Sequence, residues 1–247
     1  MLGLPDHAVA GLFDLDGVLT DTARVHAEAW KKMFDTYLRE RAGRLGEPFV
    51  PFDSRSDYDA HVDGRPRADG VRTFLASRGI ELPEGCANDP PEVETVHGLG
   101  RRKNDLVAQL IREQGVEAYE GSVRYLHAAR DAGLRRAVVT SSKNCREVIE
   151  AAGIAGLLEV AVDGNVAERE GLRGKPAPDT FLAAARAFDV DPERTAVFED
   201  AIAGVEAGGA GGFTAVIGVD RVGQAEALAA HGATNVVSDL AELLDVR

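Results

Sequence analysis

The chain has 247 residues, 45% of them hydrophobic, enough for a sizeable core built as one main domain plus an insert. Its formal charge of -13, from 41 acidic against 28 basic residues, excludes a basic nucleic-acid footprint but not a locally positive site for an anion. No apolar run approaches a membrane span, Met1 to Asp6 lack the basic and apolar regions of a signal peptide, and Cys86 and Cys145 form neither a metal motif nor a disulfide framework. The expectation is a cytoplasmic protein with no membrane or nucleic-acid partner.

The first element is a buried strand, Val9 to Phe13, an apolar run that ends in Asp14-Leu15-Asp16 and a turn at Gly17. A carboxylate at the tip of a central strand is costly unless something cationic meets it. Two of them suggest a metal ion, an electrophilic phosphorus, or both; the bland alternative is a capped strand end with an Asx turn. Thr22 to about Arg41 reads as a helix, with Val25, Ala29, Trp30, Met33, Phe34, Tyr37 and Leu38 at helical spacing. Thr22, His26 and Trp30 are four apart and share one face of it. Leu45 to Gly70 is polar and turn-rich, with a short helix at Ser56 to Val62. A helical pattern returns at Val71 to Ser77, Glu81 to Pro91 reads as a loop, and Glu92 to about Glu113 reads as mostly helical, broken near Gly98 and Gly100. No convincing buried strand occurs in this region. Residues 23–115 are therefore expected to form a helical domain inserted after the first strand, with residues 1–22 and 116–247 making the catalytic core.

From Ser122 onward strand and helix alternate. Helices are expected at Ser122 to Asp131, Asn144 to Ala152, Pro178 to Phe188, Ala201 to Ala210 and Val222 to His231. Strands are expected at Arg135 to Thr140, Leu157 to Val162, Thr195 to Phe198, Phe213 to Gly218 and Asn235 to Val237. This spacing predicts an α/β fold, a Rossmann-like parallel sheet with helices on both faces and an inserted helical cap. In such sheets ligands bind beyond the carboxyl ends of the strands.

Those ends carry one inventory. The first strand supplies Asp14 and Asp16, the second Thr140, Ser141, Ser142 and Lys143, a loop before a helix supplies Lys175, and the fourth strand ends in Glu199-Asp200. Asp14, Glu199 and Asp200 are hard oxygen ligands suited to Mg2+. Lys175 adds a positive charge, and Thr140 with the amides around Ser141 offers donors for phosphoryl oxygens. A metal, a lysine and a hydroxyl together neutralise a phosphoryl group in transfer, and an aspartate can itself be the nucleophile. Taken alone, Lys175 could equally be a solvated lysine, and Glu199-Asp200 a pair stabilised by a helix N-terminus.

The run Asp14-Leu15-Asp16-Gly17-Val18-Leu19-Thr20-Asp21 resembles the first motif of the haloacid-dehalogenase-like superfamily, and Thr140, Lys175 and Glu199-Asp200 match its later motifs in order. The resemblance implies that Asp14 is the nucleophile and Asp16 the general acid/base, with the Asp16 backbone carbonyl also on the metal. It implies Asp14 and Asp200 as direct ligands and Glu199 in support. The closer resemblance is to the beta-phosphoglucomutase subgroup. There, His26 would order the acid/base aspartate in its open arrangement and Thr22 would help at the hinge, and Trp30 follows at the subgroup's spacing; Trp30 itself reads as packing at the cap–core boundary. Ser142-Lys143-Asn144 matches the clamp for the non-transferring phosphate, Arg67 the cap arginine on that phosphate, and Lys103 a cap lysine that reaches the sugar. The implied partners are a sugar phosphate substrate and a bisphosphate intermediate. We expect a monomer, because cap motion needs a free surface.

The expected function is the mutase reaction between beta-D-glucose 1-phosphate and glucose 6-phosphate through a phospho-aspartate. A Mg-dependent sugar-phosphate phosphatase is the main alternative, using the same core residues with water as acceptor. A dehalogenase leaves Asp16 and the acidic cluster without a role, and a sugar-phosphate sensor leaves the nucleophile unexplained.

Overall fold

A computed structural model describes residues 2–244 of the chain. The chain divides into two compact units, Met1–Thr22 with Val116–Arg247, and Ala23–Gly115. Among the described residues no helix is long and apolar enough to cross a membrane.

After the first strand, β1 (Ala10–Phe13), the inserted unit is built from four helices: α1 (Ala23–Leu45), α2 (Ser56–His61), α3 (Arg67–Ser77) and α4 (Val96–Gln114). The apolar stripe of α1 buries Trp30, Met33, Phe34 and Tyr37 in an aromatic core with Phe52 and Phe74. The Phe34 ring lies 4.2 Å from Phe74 and 5.2 Å from Phe52. Phe52 belongs to the turn-rich stretch and is fastened at both ends. Its N–H donates to Asp35 at 2.8 Å, and its carbonyl accepts from Lys31 at 2.8 Å. The expected break near Gly98 and Gly100 does not occur; α4 runs through both. A Cβ at Gly98 would press into the Val93 carbonyl, and one at Gly100 would come within 3.3 Å of the Arg67 side chain. Close approach, rather than a break, accounts for these glycines, and the Thr95 hydroxyl caps the helix by accepting from the Gly98 N–H at 2.9 Å.

The remainder of the chain forms the other unit. Its helices are α5 (Glu120–Asp131), α6 (Cys145–Ala151), α7 (Gly164–Glu170), α8 (Asp179–Ala187), α9 (Ile202–Ala210) and α10 (Ala225–Ala230). Its further strands are β2 (Arg135–Val139), β3 (Val160–Val162), β4 (Thr195–Glu199), β5 (Ala215–Val219) and β6 (Asn235–Val237). The sheet order is β3-β2-β1-β4-β5-β6, with every pair parallel. Both faces are covered, which is why the strands read as apolar runs rather than alternations. Ala10, Leu12, Ala137, Val139 and Val197 meet Phe181 and Ala184 of α8 on one side. On the other, Phe13 stacks on Phe198 at 4.3 Å, and Tyr125 of α5 packs edge-on to both. Gly11 makes room for that stack, since a Cβ there would lie 2.9 Å from the Phe13 ring.

β1 is the central strand at which the order reverses, pairing with β2 on one side and β4 on the other. The crevice beyond its carboxyl end is the place such a sheet offers a ligand. One element escaped the sequence reading: α7 has no apolar period and no fully buried residue, and it is started by Asp163, which accepts from the Asn165 and Val166 N–H groups at 3.0 and 2.9 Å.

Candidate active site

Asp14 sits immediately past β1 and continues its ladder, donating its N–H to the Phe198 carbonyl at 2.9 Å. The side chain is buried, 6% exposed. It meets the ammonium of Lys175, which is itself 2% exposed and also pairs with Glu199 at the end of β4. The Lys175 ammonium donates to the Val139 carbonyl at 3.2 Å as well, so one lysine ties the tips of β1, β2 and β4 together. Glu199 is fully buried, and its second oxygen accepts from the Ala201 N–H at 3.2 Å. Carboxylate oxygens of Asp14, Glu199 and Asp200 lie within 4.8 Å of one another.

Burial pushes the Asp14 carboxyl well above the usual carboxylate range, and the charges of Glu199 and Asp16 add to this against the pull of Lys175. Burial alone would lower the Lys175 ammonium, but Asp14 and Glu199 hold it above its ordinary value. Asp14, Glu199 and Asp200 form an all-oxygen donor set, and a hard dication would relieve their repulsion. The residues present fit such an ion.

Asp16 is oriented differently. Its carboxylate accepts from the Thr22 hydroxyl rather than joining the acidic cluster. Thr22 shares a 2.7 Å hydrogen bond with Thr20, whose hydroxyl donates to the Leu15 carbonyl at 3.1 Å. Both threonines are buried. The turn that follows Asp16 needs a glycine: Gly17 has φ +90°, and a Cβ there would overlap the Asp200 carboxylate.

The loop after β2 supplies the second group of residues. Thr140 is 3% exposed, donates its N–H to the Val162 carbonyl at 3.0 Å, and accepts from the Ser142 N–H at 3.1 Å. The Ser142 hydroxyl accepts from the Asn144 N–H at 3.2 Å, one residue before α6. Lys143 pairs with Glu168 of α7 at 2.5 Å.

The inserted unit holds the remaining predicted residues. His26 Nδ1 lies 3.0 Å from the Lys103 ammonium, which sits 4.9 Å from the centre of the Trp30 ring. Lys103 and Trp30 are only 5% and 3% exposed, and Trp30 also stacks on Phe34 at 5.2 Å. Arg67 opens α3 and runs past Gly100 of α4.

Sequence reasoning missed a brace on the acidic cluster. Arg221, just after β5, donates to the Gly17 carbonyl at 2.9 Å and to the Ser238 carbonyl at 2.8 Å, with its guanidinium 3.7 Å from the centre of the Tyr119 ring. Gln224 donates to the Asp200 carbonyl at 2.9 Å. Gly204 in α9 was also overlooked; a Cβ there would collide with the Glu199 carboxylate. Its spacing of five after Glu199 was the one available signal.

The family model for haloacid dehalogenase-like hydrolases matches residues 10–212, and the chain belongs to that family. It is 55% identical to the beta-phosphoglucomutase of Mycobacterium bovis over 247 residues, 99% of this chain and 94% of the relative. It is 30% identical to that of Bacillus subtilis over 95% of this chain and 91% of the relative. The crystal structure of beta-phosphoglucomutase from Clostridium difficile superposes with a TM-score of 0.73 at 25% identity, covering 96% of this chain and 93% of the other. Within the family, the chain falls in the beta-phosphoglucomutase subgroup.

Proposed function

We propose that this chain is a Mg2+-dependent mutase that interconverts beta-D-glucose 1-phosphate and glucose 6-phosphate through beta-glucose 1,6-bisphosphate. The observation that carries this reading is the 55% identity, over 99% of the chain, to a beta-phosphoglucomutase. The buried Asp14–Lys175–Glu199 cluster beside Asp200 supports it chemically.

Phosphorylated Asp14 faces the 6-hydroxyl of beta-glucose 1-phosphate. The hydroxyl oxygen bonds to phosphorus as the bond to Asp14 breaks, and Asp16 takes the hydroxyl proton. The bisphosphate then turns. Asp14 attacks the phosphorus on the first carbon's oxygen, the bond to the sugar breaks, and Asp16 returns the proton to the departing oxygen. Thr22 holds Asp16 through its hydroxyl meanwhile. Lys175 and Thr140 offset negative charge on the transferring group. Mg2+ held by Asp14, Asp200 and the Asp16 carbonyl, with Glu199 in support, would supply the rest of that charge neutralisation.

Ser141, Ser142, Lys143 and Asn144 seat the phosphate that is not in transfer, and His26, Trp30, Arg67 and Lys103 are the inserted unit's contribution to binding. The reading carries with it a cytoplasmic monomer without nucleic-acid or membrane partners. A coupled assay tests it: beta-glucose 1-phosphate, Mg2+ and a trace of the bisphosphate should yield glucose 6-phosphate. Free phosphate in stoichiometric amount without isomer would instead establish the phosphatase.

A further inference from the structure

We infer that Glu168 is a positioning residue for Lys143, an exchange partner that takes the ammonium whenever the second phosphate of the substrate lets go of it. The inference rests on the reading of Ser142-Lys143-Asn144 as the seat of that phosphate.

The helix that carries Glu168 is attached to that seat. The Gly164 N–H donates to the Ser142 carbonyl at 3.0 Å, and the Asn165 side-chain amide donates to the Lys143 carbonyl at 2.9 Å. The contact is close: a Cβ at Gly164 would stand 2.7 Å from the Ser141 carbonyl oxygen and 3.0 Å from the Lys143 side chain. α7 has no fully buried residue; Val166 packs against the sheet core, and these hydrogen bonds attach the start of the helix to the loop. Glu168 lies four residues after Gly164 and shares its face, which directs its carboxylate to Lys143. The pair is 2.5 Å apart, with side chains 34% and 55% exposed.

An ion pair that open to water is weak, so it holds the lysine without withholding it. A phosphate with nearly two negative charges outbids a single carboxylate for the same ammonium. A mutase must also release its second phosphate, because the bisphosphate turns round between the two transfers. A carboxylate at hand lowers the cost of that release by giving the lysine another partner. Without Glu168 the phosphate is held more tightly and let go more slowly.

Glu168→Gln is therefore expected to lower KM for beta-glucose 1-phosphate about threefold, within reach of an exposed ion pair, and to lower kcat with it. Lys143→Ala should raise KM, and in that background Glu168→Gln should do nothing further, since the two act as one unit. A general weakening of the loop would instead raise KM in Glu168→Gln. If Lys143→Ala raises KM but Glu168→Gln leaves both constants unchanged, or raises KM, the exchange role is overturned and the phosphate seat stands. If Lys143→Ala leaves KM unchanged, the seat itself is misassigned and the inference falls with it.

Discussion

Asp14 and Asp16 are two residues apart but live in different surroundings. Asp14 is buried against Lys175, within reach of Glu199 and Asp200, whereas Asp16 is bonded to Thr22. A nucleophile and a proton carrier need this separation of environments. Asp16→Asn should lower turnover about a hundredfold or more, the scale of general acid/base catalysis, while Mg2+ still raises the melting temperature by binding the folded state. Retained turnover would remove Asp16 from the proton-transfer role. Cys145 gives a second check at this scale. Burial, helped by the charges of Asp163, Asp16 and Asp14, pushes its thiol up to about 12. A thiol reagent at neutral pH should titrate the exposed Cys86 quickly in native protein and reach Cys145 only after denaturation. The acidic residues of the site were legible because they follow apolar runs. Arg221 and Gln224 were not, because their partners are the carbonyls of Gly17 and Asp200, and a carbonyl has no sequence signature.

At the scale of elements, the sheet could be read because its strands are buried on both faces and stand out as apolar runs between helical patterns. α7 could not, since Gly164 to Glu170 is polar and anchored by hydrogen bonds rather than by an apolar stripe. The expected break in α4 failed for the opposite reason. Gly98 and Gly100 have a helix propensity cost of about 1 kcal/mol each, and the close contacts they permit offset it. A salt-bridged corner joins β2 to the approach to β3: Glu159 pairs with Arg135 at 2.6 Å and Arg136 at 3.1 Å and accepts from the Arg136 N–H at 3.0 Å. Burial works to raise the Glu159 carboxyl, but these donors and charges win and hold it below its ordinary value. A carboxylate depressed in the folded state contributes stability above its unfolded pKa and loses it as pH falls through the folded one. Glu159→Gln should therefore cost about 0.5–1 kcal/mol near neutral pH, discounted for solvent screening. The gap from wild type should close in acid, which melting curves across pH would show; a gap independent of pH would mean the charge is irrelevant.

At the scale of the whole molecule, a protein of net charge -13 is proposed to bind a dianion. Long-range repulsion fades beyond about 10 Å at 0.1 M salt, so the local cations at the strand ends decide the matter. Lys175 and Lys143 are those cations in the core, one buried among carboxylates and one held by Glu168 near the surface. The same Asp14 cluster would serve a mutase or a phosphatase. Their difference is whether the aspartyl phosphate gives its phosphoryl group to a sugar hydroxyl or to water. The most direct measurement runs beta-glucose 1-phosphate, Mg2+ and a trace of bisphosphate in water enriched in heavy oxygen, following both products by mass. The mutase account predicts glucose 6-phosphate without heavy oxygen in its phosphate and almost no free phosphate. Free phosphate carrying heavy oxygen, released as fast as substrate is consumed, would contradict it.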